Sequence, residues 1–116
     1  MNPRRGEVWL VDLDPTRGSE MRKTRMVLVI SSDALGVLPI KLGVPITEWQ
    51  ASFTNHLWHV PVEPNGRNGL TKKSALDVLQ LRALATERFI QRRGAVESGL
   101  LAEVTAAIAA LIEHDP

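Results

Sequence analysis

The sequence predicts a small α+β domain that is mainly β: a compact antiparallel sheet or small barrel followed by one amphipathic helix. Short apolar runs recur along residues 7–96, and Gly, Pro and Asn turn signals separate them. Residues 98–112 are instead rich in Ala and Leu, with apolar residues three and four positions apart. A chain of 116 residues has room for one hydrophobic core, so residues 1–116 are predicted to form a single domain.

The first half of the chain predicts two strands joined by a polar loop. Glu7–Asp12 alternates in the manner of a strand, and the following residues 14–20 have the Pro, Gly and short polar side chains of a loop. Met26–Ile30 is an apolar, β-branched run, which predicts a buried central strand. Arg25 precedes this run and is expected at the rim of the sheet.

The middle of the chain predicts two further strands and a tight turn. Gly43–Thr47 is expected to be a short strand at an edge or a bulge, because Pro45 cannot donate to a ladder. His56–Val62 is the next strand candidate. Asn65–Gly69 contains two Asn-Gly pairs, which are a strong turn signal.

The last third predicts two weaker strands and the helix. Ser74–Leu79 and Phe89–Val96 are the strand candidates, with a turn at Thr86–Arg88 between them. Ser98 is predicted to cap a helix whose interior is Leu100–Ile112. The expected apolar stripe of that helix consists of Leu101, Val104, Ile108, Leu111 and Ile112.

Composition excludes several kinds of chemistry. The chain has no Cys, which removes disulfides, thiolate zinc sites and thiol nucleophiles. It also lacks a Gly-rich phosphate loop, and His56 and His59 would point to opposite faces of one strand rather than share a metal. We therefore expect no cofactor and no metal. No apolar run approaches the length of a membrane span or a signal segment, so we expect a cytoplasmic protein with no membrane partner.

The near-neutral net charge of +1 conceals an uneven distribution. Residues 1–93 hold all 14 Lys and Arg but nine of the 13 acidic residues, so they carry +5. Residues 94–116 hold the other four acidic residues and no Lys or Arg, so they carry −4. A basic body of this kind is typical of proteins that bind a polyanion, although a helix carrying a few acids gives the same totals.

The segment from Asp14 to Arg25 concentrates the side chains that can act on a phosphate. It brings bases, a hydroxyl and a carboxylate together, namely Arg17, Ser19, Glu20, Arg22, Lys23 and Arg25. Such a set can bind a phosphate and transfer protons. The same composition is also typical of a solvated loop, and Thr47 alone indicates only a β-former at a strand end.

The order of five sequence blocks resembles the MazF/PemK toxin family. The blocks are Arg5–Glu20, Arg25 before Val27–Val29, Pro45–Thr47, Gly69–Lys72 and Gln80–Arg82. The resemblance implies a fold shared with the gyrase toxin CcdB, a homodimer, and a metal-independent endoribonuclease that cuts single-stranded RNA at short sequences. It also implies a MazE-type antitoxin as partner.

The same resemblance assigns roles to individual residues. Arg25 and Thr47 match positions at the scissile phosphate, Glu20 a position with a catalytic role, and Ser19 and Gln80 positions that hold RNA. The resemblance makes Arg25 a general acid/base, which leaves two candidates for the base, Arg25 and Glu20. Because a guanidinium stays protonated, we favour charge stabilisation and proton donation for Arg25 and make Glu20 the candidate base. Thr47 would donate a hydrogen bond to a non-bridging oxygen of the phosphate. Arg17, Arg22 and Lys23 would bind the RNA by converging with Arg25 on the scissile phosphate.

Three departures from the family pattern concern the expected groove. Met26 stands where a proline commonly follows the arginine, and residues 21–24 replace a stretch that contains Gln and Gly. Lys73 stands where an acidic residue is frequent.

For Trp9, Trp49 and Trp58 we favour packing in the core or a dimer interface over base stacking. Alternative functions are inhibition of DNA gyrase on the same fold and non-catalytic binding of single-stranded nucleic acid.

Overall fold

The computed structural model describes residues 1–114 as a seven-stranded antiparallel sheet with one helix. The strand order is β4-β5-β3-β2-β1-β7, and β6 pairs with β3. β4 and β7 do not pair with each other among these residues, so the sheet is open rather than the small barrel of the alternative prediction. The elements are β1 Glu7–Asp12, β2 Thr24–Val29, β3 Ile40–Glu48, β4 His59–Val62, β5 Ser74–Asp77, β6 Arg82–Ala85, β7 Phe89–Ala95 and α1 Ser98–Leu111.

The predictions for β1, β2, the turn at 65–69 and β7 are largely confirmed. β1 has the predicted bounds, and β2 lies centrally between β1 and β3. β2 begins at Thr24, two residues before the predicted start, so Arg25 lies inside the strand opposite Val11 instead of at its rim. The turn at 65–69 and the strand β7 also agree with the sequence.

Gly43–Thr47 lies in a strand as predicted, but this strand is neither short nor at an edge, and its ladders within the described residues contain no bulge. β3 runs from Ile40 to Glu48 and pairs with three strands. Leu42 O accepts a hydrogen bond from Ile30 N, so the backbone N of Pro45 faces the other edge of β3, away from β2. On that edge β6 pairs only as far as Gly43 and β5 begins at Ile46. Pro45 therefore lies where the neighbouring strand changes and no donor is needed.

Two other strand predictions need correction. β4 begins at His59, because residues 51–53 form a 3-10 turn and residues 54–58 continue as an irregular connection. β5 ends at Asp77, where a second 3-10 turn, Val78–Gln80, begins. The sequence did not predict β6, since its residues Arg-Ala-Leu-Ala have little β-propensity and only pairing with β3 holds them extended.

The helix packs on one face of the sheet. Leu100 and Val104 are buried against a cluster that includes Val8, Leu28 and Val44, which we call the helix-side core. Leu101, Ile108 and Leu111 pack against it as predicted, whereas Ile112 lies past the helix end and is 70% exposed. Ser98 is the first helical residue rather than the cap, which is Glu97 without a side-chain hydrogen bond. Of the predicted acidic tail, Asp115 lies outside the described residues.

The opposite face of the sheet carries a second apolar cluster, which we call the far-side core. It consists of Trp9, Val11, Leu13, Val27, Val29, Leu84 and Phe89. Trp9 meets Phe89 edge to face with ring centroids 5.8 Å apart, which confirms a packing role for this tryptophan. In the described part of the chain, no helix is long and apolar enough to cross a membrane.

Candidate active site

The sheet splits where β2 and β3 stop pairing and diverge. The ladder between them covers only Val27–Val29 of β2 and Gly43–Pro45 of β3. Beyond it β2 stays with β1 as far as Thr24, while β3 stays with β5 as far as Glu48. The two strands therefore diverge, and we call the opening the β2–β3 split.

A cleft of about 360 Å³ occupies this split. Thr24–Met26 lines one side and Ile46–Glu48 the other, while Gly69–Lys72 and Arg93 close it from the neighbouring turn and from β7. Three cationic side chains, those of Arg25, Lys72 and Arg93, belong to this lining, with one carboxylate from Glu48. The charged lining of the cleft is thus predominantly basic, as an anion-binding surface requires.

Arg25 and Thr47 lie on the two sides of the split. If the register that pairs Val27 with Pro45 continued, these two residues would be direct partners across β2 and β3. Strand alternation also places Arg25 on the same face as Val27, and Thr47 on the same face as Pro45. Both are half-buried, and Arg25 Nε donates to Arg22 O at 3.2 Å. A guanidinium and a hydroxyl far apart in sequence thus face one cleft.

The loop between β1 and β2 is fastened by Gln80. Its Nε2 donates to Ser19 O at 3.1 Å, and its Oε1 accepts from Met21 N at 3.0 Å. These two hydrogen bonds hold the backbone of the residues on either side of Glu20, namely Ser19 and Met21. The Glu20 carboxylate accepts the backbone N–H of Arg17 at 2.6 Å. Gln80 therefore determines where the loop, and Glu20 with it, sits relative to the sheet.

The structure separates the predicted site residues into two groups. Arg25 and Thr47 line the cleft, whereas the loop residues do not: Arg17, Ser19, Glu20, Arg22 and Lys23 are exposed beside it. Of the four bases expected to converge on the scissile phosphate, Arg25 lines the cleft, while Arg17, Arg22 and Lys23 are exposed outside its lining. Gln80 uses both ends of its amide on the loop.

Sequence reasoning did not assign three charged residues of the lining to the site: Glu48, Lys72 and Arg93. Lys72 belongs to a block that carried the family resemblance, but as a surface base it gave no signal of its own. Lys72 Nζ lies 3.2 Å from Glu48 Oε2, and both side chains are more than 60% exposed. Such an exposed pair adds little stability, so the contact between Lys72 and Glu48 breaks at little cost.

Glycines let the turn at 65–69 pack tightly against β7. A Cβ on Gly69, whose φ is +74°, would lie 2.5 Å from Arg93 O, and a Cβ on Gly94 would meet Arg67 O. The buried Asn68 amide organises the turn, since Nδ2 donates to Glu63 O and Oδ1 accepts from Leu70 N. This packing fixes the wall of the cleft that carries Leu70 and Lys72.

His56 and His59 do not point apart as predicted. Because His56 precedes β4 rather than lying in it, the two Nδ1 atoms come within 3.0 Å. His59 Nε2 also lies 3.6 Å from Asp77 Oδ2. Burial lowers the pKa of His59 and raises the pKa of Asp77, and the attraction between the two charges opposes both shifts. Residues 1–114 contain no group of three side chains placed to hold a metal ion.

A split antiparallel sheet with Arg25 and Thr47 facing a basic cleft defines a small protein suited to holding a phosphodiester. Comparison of the sequence with known protein families identifies the family of this chain. The family of PemK-like, MazF-like toxins of type II toxin-antitoxin systems matches residues 4–112. The chain belongs to this family of toxins.

Relatives from this family are named as endoribonucleases. The chain is 34% identical over 111 residues to endoribonuclease MazF9 of Mycobacterium tuberculosis (strain ATCC 25618 / H37Rv), covering 90% of this chain and 92% of that protein. It is 48% identical over 44 residues to endoribonuclease PemK of Escherichia coli, covering 37% and 33% of the two chains. The family of this chain is thus one of endoribonuclease toxins.

Solved structures share the fold. MazF from Deinococcus radiodurans superimposes with a TM-score of 0.80 at 21% identity, covering 97% of this chain and 98% of that one. A mycobacterial endoribonuclease in complex with its cognate antitoxin superimposes with a TM-score of 0.77 at 17% identity, covering 99% of each chain. These similarities confirm the mainly-β fold with a C-terminal helix.

Proposed function

We propose that this protein is a sequence-specific endoribonuclease that cuts single-stranded RNA at a phosphodiester held in the β2–β3 split. The observation that carries the proposal is the placement of Arg25 and Thr47 on facing sides of one basic cleft, in a chain of an endoribonuclease toxin family. The family match favours this function over gyrase inhibition or simple nucleic-acid binding.

The chemistry needs only groups that the RNA and this chain supply. The 2′-hydroxyl adjacent to the scissile phosphate attacks phosphorus, the P–O5′ bond breaks, and the products carry a 2′,3′-cyclic phosphate and a 5′-hydroxyl. Arg25 stabilises the negative charge that develops on the phosphorane and donates a hydrogen bond to the leaving O5′, which takes its proton from water. Thr47 donates its hydroxyl hydrogen bond to a non-bridging oxygen.

Glu20 is the proposed base that takes the proton of the 2′-hydroxyl. Its carboxylate is exposed, and it accepts the Arg17 backbone N–H. To act as the base it must exchange that donor for the 2′-hydroxyl of the bound RNA. The grip of Gln80 on Ser19 and Met21 keeps the loop beside the sheet, so this exchange requires a local side-chain movement.

The proposed partners are a second copy of this chain and an antitoxin of the MazE type. Support for a dimer comes from an exposed apolar strip on β3 and β6, in which Ile40 pairs with Ala85 and Leu42 with Ala83. Such strips are typical of protein interfaces. An acidic antitoxin segment would compete with RNA for the basic cleft, and its affinity would fall with rising salt.

Cleavage of mixed-sequence RNA in EDTA tests the proposal. We expect fragments with 5′-hydroxyl ends, and sequencing of those ends gives the recognition sequence. An RNA with 2′-deoxyribose at the cleaved position should stay intact, because the nucleophile is missing. Intact RNA at micromolar protein would overturn the proposal, and cleavage only after addition of a divalent metal would overturn its metal-independent chemistry.

A further inference from the structure

A shelf of aromatic rings lies next to the cleft, in the connection from β3 to β4. Trp49 and Phe53 meet edge to face, with centroids 5.7 Å apart and planes at 88°. Phe53 stacks on His59 at 3.6 Å and 8°, and Trp58 stacks on His56 at 4.2 Å and 11°. Trp49 is the member of this shelf closest in sequence to the cleft, since Thr47 and Glu48 line it.

Trp49 continues the surface that carries Thr47. The β3–β5 register pairs Thr47 with Ala75 and Glu48 with Ser74, and Trp49 N then donates to Lys73 O at 3.1 Å. This bond extends the ladder by one residue, so Trp49 lies on the same face as Thr47 and about 6.7 Å further along the strand. A nucleotide next to the scissile phosphate would meet this ring.

Neighbouring side chains hold the Trp49 ring in place. Phe53 supports one edge of Trp49, and Phe53 in turn lies flat on His59. His59 is anchored by Asp77 at 3.6 Å and by His56 at 3.0 Å. Because these packed groups fix the connection, Trp49 offers a preorganised, half-buried aromatic surface with little entropy left to lose on binding.

Lys73 completes the site. Its ammonium lies over the face of the Trp49 ring, 4.7 Å from the ring centroid, and 3.7 Å from Glu63 Oε1. Lys73 must therefore leave this face when a base stacks there. The Lys73 and Glu63 side chains are 45% and 71% exposed, so this ion pair adds little stability.

We propose that Trp49 stacks a base of single-stranded RNA adjacent to the scissile phosphate, while Lys73 binds the phosphate of that nucleotide. The proposal rests on the proposed RNA cleavage and adds a subsite to it. An aromatic ring beside a cation is the arrangement with which proteins hold unpaired bases. Since the large face of a purine overlaps a Trp ring more fully than a pyrimidine does, the subsite favours purines.

Kinetics of a short RNA that carries the recognised sequence test the stacking. For Trp49→Leu we expect KM to rise about tenfold, equivalent to 1.4 kcal/mol, with kcat changed less than threefold. Trp49→Phe keeps an aromatic face and should restore most of the KM. Trp58→Phe is the matched control on the same shelf and should leave both constants unchanged. Sequencing of the 5′ ends should show a lost purine preference at one flanking position for Trp49→Leu only.

Salt dependence tests Lys73 separately. In Lys73→Met, the slope of log KM against log salt should fall by about 0.7, the value for one phosphate contact on a single strand. Arg4→Met is the matched control, because Arg4 pairs with exposed Asp33 at the other end of the strands. Its slope should equal that of the unmodified protein.

The outcomes separate this subsite from the proposed function. If the unmodified protein cuts RNA while Trp49→Leu keeps its KM and its base preference, the stacking is refuted and the nuclease stands. Equal loss in Trp49→Leu and Trp49→Phe also refutes it, since an aromatic face would then not matter. If the unmodified protein does not cut RNA at all, the proposed function itself fails.

Discussion

The two ends of the β2–β3 pair differ in structure: one end is paired and buried, and the other diverges to line a cleft. At Val27–Val29 and Gly43–Pro45 the strands are hydrogen-bonded, buried and packed so tightly that a glycine is needed. At Thr24–Met26 and Ile46–Glu48 the same strands diverge around a basic cleft. One pair of strands thus supplies stability at one end and reactive side chains at the other. Because different residues form the two ends, each end can be perturbed separately.

Arg25→Ala gives the largest expected effect and changes only the split end. Without the guanidinium, the charge on the phosphorane loses its main partner, so kcat/KM for RNA should fall about 10²- to 10³-fold. The melting temperature should stay close to that of the unmodified protein, because Arg25 is half-buried and its Nε donates only to Arg22 O. Initial rates on RNA and a thermal melt measure the two effects.

Arg4→Ala provides the control for Arg25, since it removes an exposed guanidinium at the far end of the strands. Arg4→Ala should change neither kcat/KM for RNA nor the melting temperature. Near-normal cleavage by Arg25→Ala would contradict its placement at the phosphate. A large drop in its melting temperature would show that the split end is not separable from the paired end.

Gly43→Ala perturbs the paired end. A Cβ there would lie 2.5 Å from Val27 Cγ1 and 2.9 Å from Leu84 Cδ1, inside the far-side core. Overpacking of this kind costs about 1–3 kcal/mol, which urea unfolding would measure as a lower midpoint. Gly66→Ala is the matched control, because nothing lies within 4 Å of its added Cβ. Equal stability of the two variants would argue against tight packing at Gly43.

Glu7→Gln should have the smallest effect, and one that depends on pH. Burial alone would raise the pKa of Glu7, but hydrogen bonds from Arg4 N, Trp9 Nε1 and Arg92 together lower it below its ordinary value of 4.5. The carboxylate therefore stabilises the fold fully above pH 4.5, and this stability is lost as the pH falls through the lower native pKa.

Urea unfolding at several pH values would measure this dependence. At pH 7 we expect Glu7→Gln to lose about 1–2 kcal/mol, and the difference from the unmodified protein should shrink steadily below pH 4.5. Glu87→Gln at an exposed position should show no such difference. A Glu7 effect that is independent of pH would mean that packing, rather than charge, is responsible.

Much of the fold could be predicted from the sequence because its signals are local. Alternation defined β1, the β-branched run defined β2, and the Asn-Gly pairs defined the turn at 65–69. The errors arose where a neighbour overrides local preference. Pro45 indicated an edge, yet it lies centrally at a change of strand partner, and β6 is extended only because β3 pairs with it.

The candidate site was predictable only in part. Arg25 and Thr47 were named through resemblance, and the structure brings both to one cleft. Lys72 and Arg93 could not be found, because a surface base has the same local sequence whether it lines a cleft or faces bulk water. The contact between His56 and His59 was also missed, since it depends on where β4 begins.

By itself the sequence determined the class of fold, the excess of bases before residue 94 and the family of the chain, because each depends on residue types and their order. The tertiary structure alone decided where the sheet splits, which bases face the cleft, and that Gln80 holds the loop. Those features depend on pairings between residues far apart in the chain. Such pairings follow from the packing of the whole sheet rather than from any one segment.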